Sequence, residues 1–143
     1  MEIAMPKIAV SDEEIKACFE VMQELRPHLE KEKFLNTVRT MEEQGYKLAY
    51  IEEDDVVVAL AGYRISSNLF MGKNLYVDDL VTSKAQRSKG HGESLIRWLK
   101  KLAAENGCNK IHLDSGTQRS QAHKFYFKQG LVIASYHFSE DIA

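Results

Sequence analysis

A glycine-containing segment between an apolar strand and an amphipathic helix has the composition of an anion-binding loop. It reads Asp78-Asp79-Leu80-Val81-Thr82-Ser83-Lys84-Ala85-Gln86-Arg87-Ser88-Lys89-Gly90-His91-Gly92. Glycines let the backbone approach a ligand closely, and the N–H groups at the start of a helix carry a partial positive charge of roughly half a unit. The segment therefore predicts a phosphate site at the start of the helix that follows it.

Two better-known phosphate loops do not fit these residues. The chain has no G-x-x-x-x-G-K-[ST], so no lysine and hydroxyl are placed for a nucleoside triphosphate and its magnesium ion. A dinucleotide fingerprint, G-x-G-x-x-G, would need a glycine where Leu95 stands. What remains is R-x-x-G-x-G, from Arg87 to Gly92.

A second segment supplies the context. It reads Ala122-His123-Lys124-Phe125-Tyr126-Phe127-Lys128-Gln129-Gly130-Leu131, a short aromatic helix that ends at a glycine before a strand. Together the two segments resemble the GNAT superfamily of acetyl-CoA-dependent N-acetyltransferases. In that family R/Q-x-x-G-x-G/A holds the coenzyme pyrophosphate on backbone amides, and A-x-x-F-Y-x-x-x-G-F places a tyrosine beside the thioester sulfur. The resemblance extends from about Ile8 to Phe138.

Hydrophobic periodicity and turn residues predict a mixed α/β chain, and 143 residues predict one domain over 1–143. A capping box of Ser11 and Glu14 starts the first helix. The predicted strands are Ile8–Val10, Lys47–Glu53, Val56–Ser66, Leu75–Thr82, Lys110–Asp114 and, as a strand or broken hairpin, Leu131–Ser139. The predicted helices are Ser11–Leu25, Glu30–Gln44, Gly92–Glu105 and Arg119–Gln129. This is the element order of the GNAT fold, and the resemblance implies a central, mostly antiparallel mixed sheet with a splayed fourth strand, flanked by helices.

Acetyl transfer to an amine needs a neutral nitrogen. A free alkyl ammonium has a pKa of about 10.4, so its deprotonation at neutral pH costs roughly 4.6 kcal/mol and requires a base or a desolvated pocket. Asp78 and Asp79 are consecutive in an otherwise apolar strand, and strand alternation sends them to opposite faces, where they cannot share a proton. Two alternatives stay open: one carboxylate is the general base in the cleft, or the carboxylates pair structurally and water relays the proton.

The resemblance implies that the hydroxyl of Tyr126 meets the departing sulfur. Because a thiol of pKa near about 8.5 is a stronger acid than a phenol near about 10, the physically modest role is a hydrogen bond to the thiolate or a transient proton donation. The alternative is an ordinary core aromatic of an amphipathic helix.

The resemblance also implies a set of acetyl-CoA contacts. Backbone amides of Leu80, Val81 and Thr82 stabilise the thioester oxygen, as an oxyanion hole does. Arg87 and Lys89 add charge at the pyrophosphate, where Ser88, Gly90, His91 and Gly92 supply backbone amides. The helix predicted at Arg119–Gln129 contributes four further contacts, which are Arg119, His123, Phe125 and Tyr126. Arg119 stands where the family commonly has an asparagine on the pantetheine arm, and His123 either contacts the terminal ribose phosphate or faces solvent.

Composition argues against several other classes of protein. A formal net charge of −2 gives no basic excess for nucleic acid. No apolar run reaches the roughly 18 residues of a membrane span, and the first residues are no signal peptide, so we expect a soluble, cytoplasmic protein. Cys18 and Cys108 have no metal-type spacing, so we expect core thiols and no metal.

We therefore predict an enzyme that moves an acetyl group from acetyl-CoA to a primary amine of a small molecule by direct attack in a ternary complex. Acetylation of a protein N-terminus or lysine, or non-catalytic acyl-CoA binding, are the alternatives. Acceptor specificity is expected in the first two helices and in Ser66–Lys73. This last segment walls the acceptor pocket, packs as a hairpin loop on its own domain, or contributes to a homodimer interface.

Overall fold

The computed structural model describes residues 4–143, which divide into two compact units at the boundary between His112 and Leu113. The strands are β1 (Lys7–Ile8), β2 (Tyr46–Glu53), β3 (Val56–Asn68), β4 (Gly72–Thr82) and β5 (Lys110–Leu113). The helices are α1 (Asp12–Ala17), α2 (Phe19–Leu25), α3 (Lys31–Glu42), α4 (His91–Glu105) and α5 (Ser120–Lys128), with a short 3₁₀ turn at Lys84–Gln86. This element order confirms the predicted mixed α/β class.

One sheet contains all five strands in the order β1-β2-β3-β4-β5. Strands β1 to β4 are antiparallel neighbours, and β5 runs parallel to β4. The β2–β3 hairpin turns at Asp54 and Asp55, whose φ angles of 52° and 63° match the two left-handed positions of a type I′ turn. The mostly antiparallel mixed sheet is therefore confirmed.

Three helices cover one face of the sheet. Capping of α1 is as predicted, because the Ser11 hydroxyl accepts from the Glu14 N–H at 3.1 Å and the Glu14 carboxylate accepts from the Ser11 N–H at 2.9 Å. In the helical core the rings of Phe19 and Phe34 pack edge to face, with their centroids 5.4 Å apart. Its buried members include Ile15, Cys18, Phe19, Met22, Phe34, Val38, Leu48, Leu60 and Val81.

Helix α4 packs on strands β3 and β4 of the sheet. Its buried stripe is Leu95, Ile96, Leu99 and Ala103, at the spacing of one helix face. Trp98 meets Tyr63 of β3 edge to face, with centroids 6.0 Å apart. Because Tyr63 alternates with the residues that face α1 to α3, α4 lies on the opposite face of the sheet.

Two local expectations differ from the structure. The first predicted helix is divided at Cys18, whose N–H bonds the Ile15 carbonyl only three residues back. The segment Ser66–Lys73 continues strands β3 and β4 and leaves Leu69 and Phe70 exposed at the hairpin tip, where Lys110 lies 5.7 Å from the Phe70 ring.

The predicted final strand, Leu131–Ser139, is wrong, because residues 131–143 have no regular secondary structure. The β-branched and aromatic residues of this segment favour a strand, but a strand also needs a neighbour for its backbone hydrogen bonds. Within the described part of the chain, no other strand pairs with this segment.

Two further expectations concern the cysteines and the membrane. Cys18 is buried in the helical core, and desolvation raises the pKa of its thiol to about 12, while Cys108 is half-buried. Both thiols are free. Over residues 4–143 none of the helices has the length and apolar character required to cross a bilayer.

Stability at low pH should depend on Glu14. Its carboxylate accepts from the N–H groups of Ser11 and Val10 and from the Tyr50 hydroxyl, and these bonds lower its pKa from 4.5 to about 2. Because the folded-state pKa is the lower one, the stabilisation is present above the unfolded value and is lost as pH falls toward about 2. Glu14→Gln should therefore unfold at lower urea concentration than the wild type at neutral pH, with the difference shrinking through that window. A difference that stays constant across the window would contradict this assignment.

Candidate active site

An extra residue interrupts β4 where it pairs with β3. Gly62 is paired with Asp79 and Tyr63 with Val77, so Asp78 has no partner in the register and forms a β-bulge. Before the bulge, Val77 shares the α4 face with Tyr63. After it, Val81 belongs to the core under α1 to α3. The bulge therefore shifts the alternation of side chains by one position.

The bulge places Asp78 and Asp79 on the same face of the sheet. The carboxylate of Asp78 contacts Arg64, and that of Asp79 contacts Tyr46, which is paired with Arg64 across β2 and β3. Directly paired residues of antiparallel strands project to the same side. The expectation that the two aspartates lie on opposite faces is wrong, because strict alternation holds only in a strand without a bulge.

Each aspartate has its own guanidinium partner. Arg64 forms a two-bond pair with Asp78, with Nε at 3.0 Å from Oδ2 and Nη2 at 2.7 Å from Oδ1. Arg26 Nε donates to Asp79 Oδ1 at 3.0 Å, and the Tyr46 hydroxyl donates to Oδ2 at 2.8 Å. Burial and then the charge of Asp79 raise the pKa of Tyr46 well above its usual value, so the phenol stays a donor.

These pairs define what the two carboxylates can do chemically. Two guanidinium groups compensate two negative charges, and a proton gained by either carboxylate would cost it an ion pair. The same partners hold the carboxylates in fixed positions on a half-buried surface. A role as general base, predicted for Asp78 or Asp79, stays a prediction.

Glycine at position 62 makes room for this arrangement. A Cβ atom there would overlap the Tyr46 hydroxyl and lie 2.6 Å from Asp79 Oδ2, closer than non-bonded atoms approach. The Tyr46 side chain thus crosses directly over the β3 backbone to reach Asp79. A glycine inside a strand often marks such a close approach.

The last three residues of β4 lead from the bulge to the loop. Val81 is buried, and Leu80 and Thr82 are half-buried. Beyond them, the Ser83 N–H donates to the Val58 carbonyl at 2.8 Å, which ties the start of the loop to β3.

The loop then turns sharply into α4. Ser88 and Gly90 both adopt left-handed backbone conformations, with φ of 68° and 86°. Gly90 is the N-cap of α4 and, being a glycine, has no side chain to cap the first N–H groups of the helix. The first N–H groups of a helix have no partner within the helix. The start of α4 therefore presents unpaired backbone donors, as an anion site requires.

Side chains around the loop point in two directions. Arg87, Ser88 and Lys89 are exposed, and Lys89 Nζ donates to Gln86 Oε1 at 2.9 Å. The His91 ring is buried and its Nε2 lies 3.6 Å from a Glu53 carboxylate oxygen. Because its ring turns into the protein, His91 offers its backbone amide, and not its imidazole, to the loop.

The second unit contains α5, which carries the remaining predicted site residues. Arg119 is the N-cap of α5, and His123 Nε2 lies 2.8 Å from the Gly116 carbonyl. Phe125 and Tyr126 pack edge to face at 5.5 Å. Burial raises the pKa of Tyr126, and the charge of Arg119 partly offsets this. Tyr126 is therefore a hydrogen-bond donor at physiological pH.

Sequence reasoning missed the partners of the aspartates, which are Arg26, Tyr46, Gly62 and Arg64. A signal existed for two of them, because Gly62 and Arg64 interrupt an otherwise apolar β3. Arg26 precedes Pro27 at an ordinary helix end, and no feature of the local sequence marks it as a partner of Asp79. Over residues 4–143 the structure contains no cluster of three or more His, Cys, Asp or Glu that could hold a metal ion.

Comparisons with known proteins find relatives over most of the chain. The sequence matches the acetyltransferase (GNAT) family over residues 11–131. It is 33% identical over 138 residues to the uncharacterized N-acetyltransferase YhdJ of Bacillus subtilis (strain 168), covering 95% of this chain and 97% of that protein.

Solved structures share the fold at lower identity. A putative acetyltransferase from Agrobacterium tumefaciens str. C58 is 24% identical, with a TM-score of 0.83 and coverage of 95% of this chain and 98% of that one. The aminoglycoside N-acetyltransferase AAC(6′)-Iy, solved in complex with CoA, is 12% identical, with a TM-score of 0.84 and coverage of 99% and 98%.

Replacing Gly62 tests the packing at the bulge. Gly62→Ala places a methyl group against Tyr46 and Asp79, and overpacking of this kind typically costs about 1–3 kcal/mol of unfolding free energy. Chemical denaturation should show a loss in this range. An unchanged unfolding free energy would mean that Tyr46 does not lie over the Gly62 backbone.

Proposed function

Because the chain belongs to the GNAT family of acetyltransferases, we propose that it transfers an acetyl group from acetyl-CoA to a primary amine of a small molecule. The observation that carries this proposal is the start of α4, where the loop after β4 ends in left-handed residues and the first helical N–H groups have no capping side chain from Gly90. We further propose a single-domain cytoplasmic enzyme that needs no metal.

The proposed pyrophosphate site uses the backbone from Ser88 to Gly92. Its amides face an anion without a side-chain cap to compete, and the exposed Arg87 and Lys89 add positive charge. In this proposal Arg119, His123 and Phe125 are further acetyl-CoA contacts, as the family pattern implies.

The thioester is proposed to bind along the last residues of β4. Backbone amides of Leu80, Val81 and Thr82 would donate to the carbonyl oxygen, where negative charge develops as the amine attacks. The neighbouring bulge supports this role, because it bends the strand and interrupts regular pairing at Asp78.

The acceptor amine is proposed to attack the thioester carbon directly, in a ternary complex with acetyl-CoA. The tetrahedral species then collapses, the C–S bond breaks, and the nitrogen loses a proton. Direct transfer is supported by the structure of AAC(6′)-Iy with a CoA-linked bisubstrate analogue, a chain that shares this fold at a TM-score of 0.85. Asp78 and Asp79 are the proposed proton acceptors, and water is the relay if their arginine pairs persist.

The Tyr126 hydroxyl is proposed to donate to the departing thiolate of CoA. Because burial raises the pKa of Tyr126, complete proton transfer to a thiolate of lower pKa is unfavourable. A hydrogen bond that stabilises the leaving group is therefore the step that this phenol can perform.

Tyr126→Phe tests the leaving-group role. The variant should lower turnover about tenfold or more, since it removes one donor that acts on developing charge, while acetyl-CoA affinity changes little. Initial rates with an acceptor of the wild type, together with calorimetric titration of acetyl-CoA, measure the two effects separately. Turnover equal to that of the wild type would remove Tyr126 from the mechanism.

Gly90→Ala tests the pyrophosphate site, and Gly107→Ala is its matched control. Both glycines have left-handed φ angles, 86° and 73°, at opposite ends of α4, so both variants carry similar backbone strain. Only the side chain at position 90 blocks approach to the amides. We expect Gly90→Ala to weaken acetyl-CoA binding by about tenfold or more, measured by calorimetry, and Gly107→Ala to bind as the wild type does. Equal affinities of the two variants would contradict the loop assignment.

A further inference from the structure

We propose that the last turn of α2 positions the β4 segment that binds acetyl-CoA, through Arg26 at one end of that segment and Glu24 at the other. The inference rests on the proposed function, since it assumes that acetyl-CoA binds along Leu80–Thr82. Neither residue is proposed to touch the substrate. Both are positioning residues that act on the backbone of β4.

Arg26 fixes the bulged end of the segment. Its Nη2 donates to the carbonyl oxygen of Asp78 at 2.8 Å, and its Nε donates to the Asp79 carboxylate at 3.0 Å. The bond to the carbonyl is significant because Asp78, as the extra residue, lacks a partner in the β3–β4 register. Arg26 therefore holds the backbone where the strand's own ladder does not.

Glu24 fixes the other end of the segment. Its Oε1 accepts from the backbone N–H of Lys84 at 2.9 Å, two residues beyond the end of β4. Arg26 and Glu24 thus bracket the chain from Asp78 to Lys84. Leu80, Val81 and Thr82 lie between the two contacts.

The turn that carries both side chains is itself held firmly. Phe19 and Met22 of α2 are buried in the helical core, and the Arg26 N–H closes the helix on the Met22 carbonyl at 2.9 Å. Asp79 is further held by the Tyr46 hydroxyl. A rigid helix end is a suitable frame for a positioning contact, because a shift of the helix would be resisted by its packing.

The exposure of the Arg26 and Glu24 side chains allows a positioning role to be distinguished from a contribution to the stability of the core. The Arg26 side chain is 43% exposed, and Glu24 lies on the surface. Loss of the Glu24 contact removes one hydrogen bond at the surface, and loss of the Arg26 contact leaves Asp79 with the Tyr46 hydroxyl as a donor. Their removal should therefore alter the local geometry of β4 more than the unfolding of the protein.

This arrangement also connects the two substrate sides. Helix α2 belongs to the region expected to select the acceptor, whereas β4 is the proposed acetyl-CoA strand. If an acceptor shifted the last turn of α2, the shift would reach the Asp78 carbonyl through Arg26 and the Lys84 amide through Glu24. Acetyl-CoA affinity should accordingly respond to changes in the last turn of α2.

The test uses four variants of the full chain and one control. Arg26→Met and Glu24→Ala remove the contacts, while Arg26→Lys and Glu24→Gln retain a donor and an acceptor. Arg97→Met removes an exposed guanidinium paired with Glu93 on α4 and serves as the control. The readouts are acetyl-CoA affinity by calorimetry, thermal unfolding, and amide hydrogen exchange at Leu80–Thr82.

We expect Arg26→Met and Glu24→Ala to weaken acetyl-CoA binding by about tenfold, as small displacements of positioned groups do, and to accelerate exchange at Leu80–Thr82. The acetyl-CoA affinity and the exchange rates of Arg26→Lys, Glu24→Gln and Arg97→Met should stay closer to those of the wild type.

If both truncation variants kept the wild-type acetyl-CoA affinity and exchange rates, this inference would be overturned and the proposed function would stand. Exchange raised throughout the sheet, with a matching loss of thermal stability, would also overturn it, because it would indicate a structural role. A wild-type protein that does not bind acetyl-CoA would overturn the proposed function and this inference together.

Discussion

The extra residue at Asp78 in β4 is the constraint on which the arrangement at this end of the sheet depends. It brings two consecutive carboxylates to one face, where alternation would have separated them. It also leaves a backbone position without a ladder partner, which Arg26 satisfies from α2. A bulge is a local bend with fixed consequences for every residue that follows it in the strand. The placement of Val81 in the core under α1 to α3 is one of those consequences.

Electrostatic compensation is what allows this bulge to carry two negative charges. Arg64 and Arg26 supply one guanidinium to each aspartate, and Tyr46 adds a neutral donor to Asp79 from within the core. Truncating either arginine would leave its carboxylate with fewer hydrogen bonds. Gly62 is a requirement of the same arrangement, because a side chain at this position would occupy the space of the Tyr46 hydroxyl. These residues come from three different elements, β2, β3 and the end of α2, and act on one strand.

Features set by neighbouring residues could be predicted from the sequence, whereas features set by remote contacts could not. The capping box of Ser11 and Glu14 depends on a few adjacent residues, as does the turn at Asp54 and Asp55 between the two strands predicted at Lys47–Glu53 and Val56–Ser66. The family resemblance implied a splayed fourth strand, but no residue type marks Asp78 as the bulge. The partners of Asp79 lie 53 and 33 positions away along the chain, and nothing in the local pattern connects them. The strand predicted at Leu131–Ser139 is wrong because the composition of a segment favours a strand without supplying a neighbouring strand to pair with.

Detection of acetylated product by mass spectrometry tests the account most directly. The enzyme and acetyl-CoA would be incubated with polyamines, aminoglycosides, aminoalkylphosphonates, amino acids and peptides, beside blanks that lack the enzyme. Mass detection avoids thiol reagents, which would also report the free and only half-buried Cys108. The account predicts that one class of small primary amines gains an acetyl group above the blank. Acetylation of peptides alone, or no acetylated product from any acceptor, would contradict a small-molecule N-acetyltransferase.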